Sequence, residues 1–179
     1  SPDGAQIAWL QWNHPNMPWD GTELWVASLD AEGYPQEPRK VAGASDESIF
    51  QPMWSPTGEL FYVSDRSAWW NLYHDGDNVL PVELDFGKPQ WVFSQTTYCF
   101  VDERRIAATY TEQGQWKLGI LHLDTRAFVP VEMPLEAVEG IRAVGETLYF
   151  IGGSPGEPAC IAALPRLKSG AVHATQSTA

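Results

Sequence analysis

Gly152, Ser154 and Gly156 stand in the order G-x-S-x-G directly behind the strand-like run "TLYFIGG". That spacing turns a strand sharply into a helix and lifts a serine hydroxyl for nucleophilic attack. The chemistry has further requirements: an N–H on the residue after the serine for the oxyanion, a helix behind it, and an acid and a histidine later in the chain. Here the next residue is Pro155, which has no N–H. Pro-Gly-Glu-Pro and a second strand-like run, "ACIAAL", follow, and only Glu157 and His173 remain downstream. Both are too near the serine to come from separate later strands of a large sheet. The stretch is therefore expected to be a loop joining the second and third strands of a sheet, and no catalytic residue is expected in this chain.

Other reactive constellations are sparse. His14, His74, His122 and His173 are dispersed, without H-E-x-x-H or a His/Cys/Asp cluster at metal-ligand spacing, so no metal is expected. Asp75, Gly76 and Asp77 match the start of a calcium loop but lack its closing Glu, and read as a polar hairpin turn. No phosphate-binding glycine loop is present, and no cofactor is expected. The most unusual feature is the loop "NHPNMPWDG" at residues 13–21. Its His14, Met17, Trp19 and Asp20 are the candidate site residues, facing a substrate path or a neighbouring domain. The competing reading is that Pro15, Pro18 and Trp19 only stiffen the loop and pack it on a sheet edge. Trp69 and Trp70 read as packing residues rather than a sugar platform.

The elements that must position these residues are strands. Gly (15) and Pro (14) are spread along the whole chain, and the runs between them are short, β-branched and aromatic. "IFQPMW", "LFYVSD", "PQWVF", "RIAATYT" and "WKLGILHL" are examples; the one helical candidate, "PLEAVEGIRAV" at 134–144, is interrupted by Gly140. "SPDGAQIAWLQW" at residue 1 recurs as "SPTGELFYVSDR" at 55, and in weaker form as "VDERRIAATYT" at 101 and "AVGETLYFIGG" at 143, intervals of 54, 46 and 42 residues. Repeats of roughly 40–50 residues, each with about four short antiparallel strands, mark β-propeller blades. In "LFYVSD" both faces are apolar, as suits a sheet packed between two others. The expected fold is all-β, a partial β-propeller of about 3.5 to 4 four-stranded antiparallel blades spanning 1–45, 46–88, 89–133 and 134–179. A partial ring exposes an apolar face on each terminal blade, so self-association into a homo-oligomer is expected unless the rest of a ring covers them.

With 23 acidic against 11 basic residues, the net charge of -12 repels phosphate backbones and anionic membranes, which excludes both as partners. Cys99 and Cys160 each lie in apolar runs and read as buried thiols, which suits a reducing, cytoplasmic setting.

"HPNMPWDGTELW" at 14–25 and "SDRSAWWNLY" at 64–73, set among the S-P-x-G turns, carry a family resemblance. Over residues 1 to about 165 the chain resembles the TolB-like propeller domain of prolyl oligopeptidase-like (S9) serine peptidases, in particular the acylaminoacyl-peptidase-like branch. The resemblance implies an N-terminal propeller that caps a C-terminal α/β-hydrolase domain bearing Ser, Asp and His, and admits short or N-acylated peptides. It implies for this chain a non-catalytic, scaffolding and gating role, with the hydrolase domain, outside residues 1–179, and a peptide substrate as partners. Two other readings stay open: a stand-alone TolB-like propeller that binds a protein partner, and a carbohydrate-active propeller using Trp platforms and paired carboxylates.

Overall fold

Gly4 and Gly58, which close the two S-P-x-G stretches, have φ of +72° and +87°, and each donates its N–H to the carbonyl of the serine three residues back at 3.0 Å. Glycine adopts that left-handed backbone without steric cost, so each turn delivers the chain into a strand at a fixed angle. The computed structural model describes residues 1–165 and the backbone of residues 175–176, and no helix occurs among the described residues.

Four antiparallel sheets follow in chain order. The first holds β1 (Gln6–Gln11), β2 (Glu23–Leu29) and β3 (Pro35–Ala42); the second holds β4 (Ile49–Trp54), β5 (Leu60–Ser64), β6 (Asn71–His74) and β7 (Asp77–Asn78). The third is β8 (Tyr98–Phe100), β9 (Arg105–Glu112), β10 (Gln115–His122) and β11 (Ala127–Val131). The fourth is β12 (Ala137–Val144), β13 (Thr147–Ser154), β14 (Glu157–Pro165) and β15 (Thr175–Gln176). This is a partial β-propeller, as the repeat predicts. The recurring turn feeds β1, β5, β9 and β13, which are the second strands of their blades; the first sheet has no counterpart of β4, β8 or β12 and so has three strands.

Two compact units divide the chain: residues 1–83 with 87–93, and residues 84–86 with 94 onward. In the first unit, Leu24, Ala42, Ile49, Tyr62 and Tyr73 form one core between its two sheets. Phe61 and Val63, on the opposite face of β5, are buried as well, so both faces of this strand are dry, as its composition predicts. In the second unit the core joins Cys99, Ala107 and Leu118 of one sheet to Val138, Ile141, Leu148 and Phe150 of the next. Burial pushes the Cys99 thiol up to about 12, which leaves it an inert apolar filler at neutral pH. Both cysteines are free.

Residues 137–144 form β12, in keeping with the all-β expectation: Gly140, at φ +63°, sits in a β-bulge between Glu139 and Arg142, and Val138 and Ile141 are buried. One expectation needs correction. "PQWVF" at 89–93 is not a strand. Pro89 has no N–H for a ladder, and Trp91, Val92 and Phe93 are exposed at 71%, 62% and 82% instead of buried between strands.

Candidate functional site

The loop of residues 12–22 joins β1 to β2, and its shape is fixed by hydrogen bonds of its own and by the connection from β3 to β4. The Asn16 N–H bonds to the Asn13 carbonyl at 2.9 Å, across a cis His14–Pro15 bond. Asp20 closes the next turn: its Oδ2 accepts the Met17 N–H at 2.9 Å, and its own N–H bonds to the Met17 carbonyl at 3.0 Å. The Pro18 carbonyl accepts the hydroxyls of both Thr22 and Ser48, the latter at 2.7 Å. Asn16 Nδ2 donates to the Ser45 carbonyl at 3.1 Å, and Thr22 N–H to the Glu47 carbonyl at 2.9 Å. Gly21 and Gly43 permit this approach, since a Cβ at either would collide with a backbone carbonyl, of Ser45 and Thr22 respectively.

The β3–β4 connection is anchored in turn on the end of β5. Glu47 Oε1 accepts the Ser64 hydroxyl at 2.6 Å and Arg66 Nε at 2.8 Å, while the Arg66 guanidinium lies 4.8 Å from the centre of the Tyr73 ring. Asp65 Oδ1 accepts the Ser48 N–H at 2.7 Å. Burial raises the Asp65 carboxyl above its ordinary range, so the folded chain holds that proton more tightly than the unfolded chain does. Its contribution to stability is complete below the ordinary Asp value of about 3.9 and is lost as pH rises through the higher folded value. Asp65→Asn keeps an oxygen acceptor for Ser48 without the charge. Its Tm at pH 7 is expected to equal or exceed that of the parent, with the gap closing on acidification; thermal melts over a pH series check this, and a lower Tm at neutral pH contradicts it.

Against this fixed loop lies the run 90–93. The Trp19 and Trp91 rings meet with centroids 4.2 Å apart and planes tilted by 46°. Trp12, Met17, Pro18 and Trp19 on one side and Gln90 to Phe93 on the other enclose an open cavity of about 380 Å³. Of the candidate site residues, Met17 and Trp19 line this cavity; Asp20 is exposed and closes the loop, and His14 is exposed and outside the lining. Trp12, Gln90, Trp91 and Phe93 were not expected here; for residues 90–93 the only sequence signal is a run of apolar residues next to Pro89, which a buried strand also gives, and Trp12 ends the strand-like run "QIAWLQW". Trp70 packs edge-on to Phe50 at 6.2 Å, as a packing residue should.

The G-x-S-x-G stretch lies elsewhere and forms a hairpin. Ser154 ends β13, pairs with Glu157 of β14 across a turn at Pro155 and Gly156, and has no helix after it. A Cβ at Gly152 would stand 2.6 Å from the end of the Leu135 side chain, which would have to shift to admit it. His173 lies outside the described residues. Asp75 and Gly76, at φ +48° and +83°, form the tight turn between β6 and β7. Among the described residues no group of three or more His, Cys, Asp or Glu is placed to hold a metal ion.

No protein-family profile matches the chain, and no curated protein sequence does. Solved structures do. A puromycin-hydrolysing peptidase of Mycobacterium tuberculosis matches over 94% of this chain at 35% identity and a TM-score of 0.87; a puromycin hydrolase matches over 92% at 30% and 0.86. The chain spans about a quarter of their length, 27% and 26%. TolB of Acinetobacter baumannii, at 13% identity, shares the fold over 97% of this chain and 43% of its own, with a TM-score of 0.60. Sequence motifs, blade repeat and these likenesses agree: over nearly all of its length the chain is similar to the propeller of S9, prolyl oligopeptidase-like, peptidases.

Proposed function

We propose that the chain is the non-catalytic N-terminal propeller segment of an S9 serine peptidase, with blades dividing near residues 45, 88 and 133. It scaffolds an α/β-hydrolase domain outside residues 1–179 and gates the entry of short or N-acylated peptides and related aminoacyl amides. The observation that carries this reading is the match to two puromycin-hydrolysing enzymes along nearly all of this chain but only about a quarter of theirs. Chemistry within the chain is disfavoured on separate grounds, since Pro155 denies Ser154 the oxyanion donor and a hairpin replaces the elbow.

Gating calls for a loop whose position is fixed and whose surface is apolar, and the 12–22 loop has both properties. In the parent polypeptide, replacing residues 13–20 by a two-residue Asn-Gly turn is expected to raise hydrolysis of long peptides relative to a single aminoacyl anilide. Unchanged discrimination between the two substrates contradicts the gate.

A further inference from the structure

The cavity beside the 12–22 loop supports a more specific assignment, which rests on the peptidase-propeller reading and names what this site receives. Trp12, Trp19, Trp91 and Phe93 supply ring surface, Met17 a polarizable thioether, and no charged side chain lines the space. At about 380 Å³ it is more than twice the ~150 Å³ that accommodates a benzene ring, and it falls within the range of ligand pockets. One wall is set in advance: Met17 and Pro18 are held by Asp20, Thr22 and Ser48, which lowers the ordering cost of binding on that side. Trp91 and Phe93 expose most of their surface to water, a condition that a stacked ligand relieves. Gln90 Oε1 is enclosed yet receives no hydrogen bond, and an enclosed acceptor without a donor is destabilising until one arrives. Charge selects further. With no cation in the lining and a net charge of -12, aromatic anions are repelled, whereas a neutral ring or one joined to a protonated amine is not.

We propose that this cavity is a subsite for a flat aromatic group of the substrate, neutral or attached to a protonated amine. An aromatic amino-acid side chain and a nucleobase share that chemistry, and puromycin carries both, as an O-methyltyrosyl group and a dimethyladenine. The test is a titration of the isotopically labelled 179-residue chain with puromycin, followed by the tryptophan indole N–H signals in NMR. Those of Trp12, Trp19 and Trp91 are expected to move, and that of Trp70 to stay. Trp91→Ala is expected to weaken binding about tenfold, the usual loss of one stacking partner, and Phe93→Ala to weaken it as well. Both side chains are exposed, so the variants should keep a dispersed amide spectrum. Puromycin aminonucleoside and O-methyl-L-tyrosinamide, titrated separately, distinguish base from side chain as the source. Benzoate, flat but anionic, is expected not to bind. Unmoved indole signals in a folded chain, unchanged affinity in both variants, or benzoate binding as tight as that of puromycin overturns the proposal. These results are independent of the gate, which is read from peptide-length discrimination in the parent polypeptide, so either can fail without the other.

Discussion

Gly43→Ala is expected to destabilise the chain by about 2–5 kcal/mol. Gly43 has φ +91°, beyond the small left-handed region open to other residues, which costs about 1–2 kcal/mol for a residue with a Cβ. The added methyl also falls onto the carbonyl oxygen of Thr22, a fully buried residue whose N–H is bonded to Glu47. Relieving an overlap of that kind costs about 1–3 kcal/mol more. Because Thr22 begins the return from the 12–22 loop into β2, the strain reaches the cavity wall. The near-ultraviolet circular dichroism of the Trp19–Trp91 pair should fall with stability. Gly33→Ala is the matched control. Gly33 has φ +84° but open space around its Cβ position, so only the backbone term applies and the loss should be about 1 kcal/mol. Urea unfolding of both variants decides it, and equal losses contradict the collision.

The second large effect is expected in the other unit. Phe86 is fully buried, 5.4 Å edge-to-face from Phe128 and 6.1 Å from Tyr110, which are themselves 5.2 Å apart. The backbone brings Phe86 there through a bridge between Asp85 and Thr111, with the Thr111 N–H on the Asp85 carbonyl at 3.0 Å. Gly119 leaves room for the Phe128 ring directly above it. Phe86→Ala removes the centre of this cluster and leaves a cavity, at a cost of about 3–5 kcal/mol, or a fall in Tm of roughly 6–20 °C for a chain of this size. Phe86→Leu should restore most of the loss. A loss below about 1 kcal/mol for the alanine variant contradicts the packing described.

The parts of the fold that could be read from residue order are those decided locally. Proline and glycine in S-P-x-G fix their own backbone angles, so the turns before β1 and β5, and with them the blade repeat, could be located without tertiary information. The same holds for Pro155: a missing N–H is a property of one residue, and it sufficed to reject the elbow at Ser154. What failed depended on contacts distant in sequence. "PQWVF" has the composition of a buried strand, and only the absence of a pairing partner turns it into a cavity wall beside a loop some 70 residues earlier. Gly140 correctly argued against a helix over 134–144, but nothing in the run itself reveals that the break is a bulge in a strand whose Val138 and Ile141 face the core. Of the candidate site residues, Met17 and Trp19 share the cavity because their loop folds back on residues 90–93, whereas Asp20 is occupied in holding the loop and His14 stands apart.

We propose that this propeller positions and selects substrate while the nucleophile lies elsewhere in the parent polypeptide. A fluorophosphonate probe applied to the parent polypeptide, followed by peptide mapping of the adduct, tests it most directly. A single labelled serine outside residues 1–179 is expected, with no labelling of the 179-residue chain alone. An adduct on Ser154, or on any serine within the chain, would contradict it.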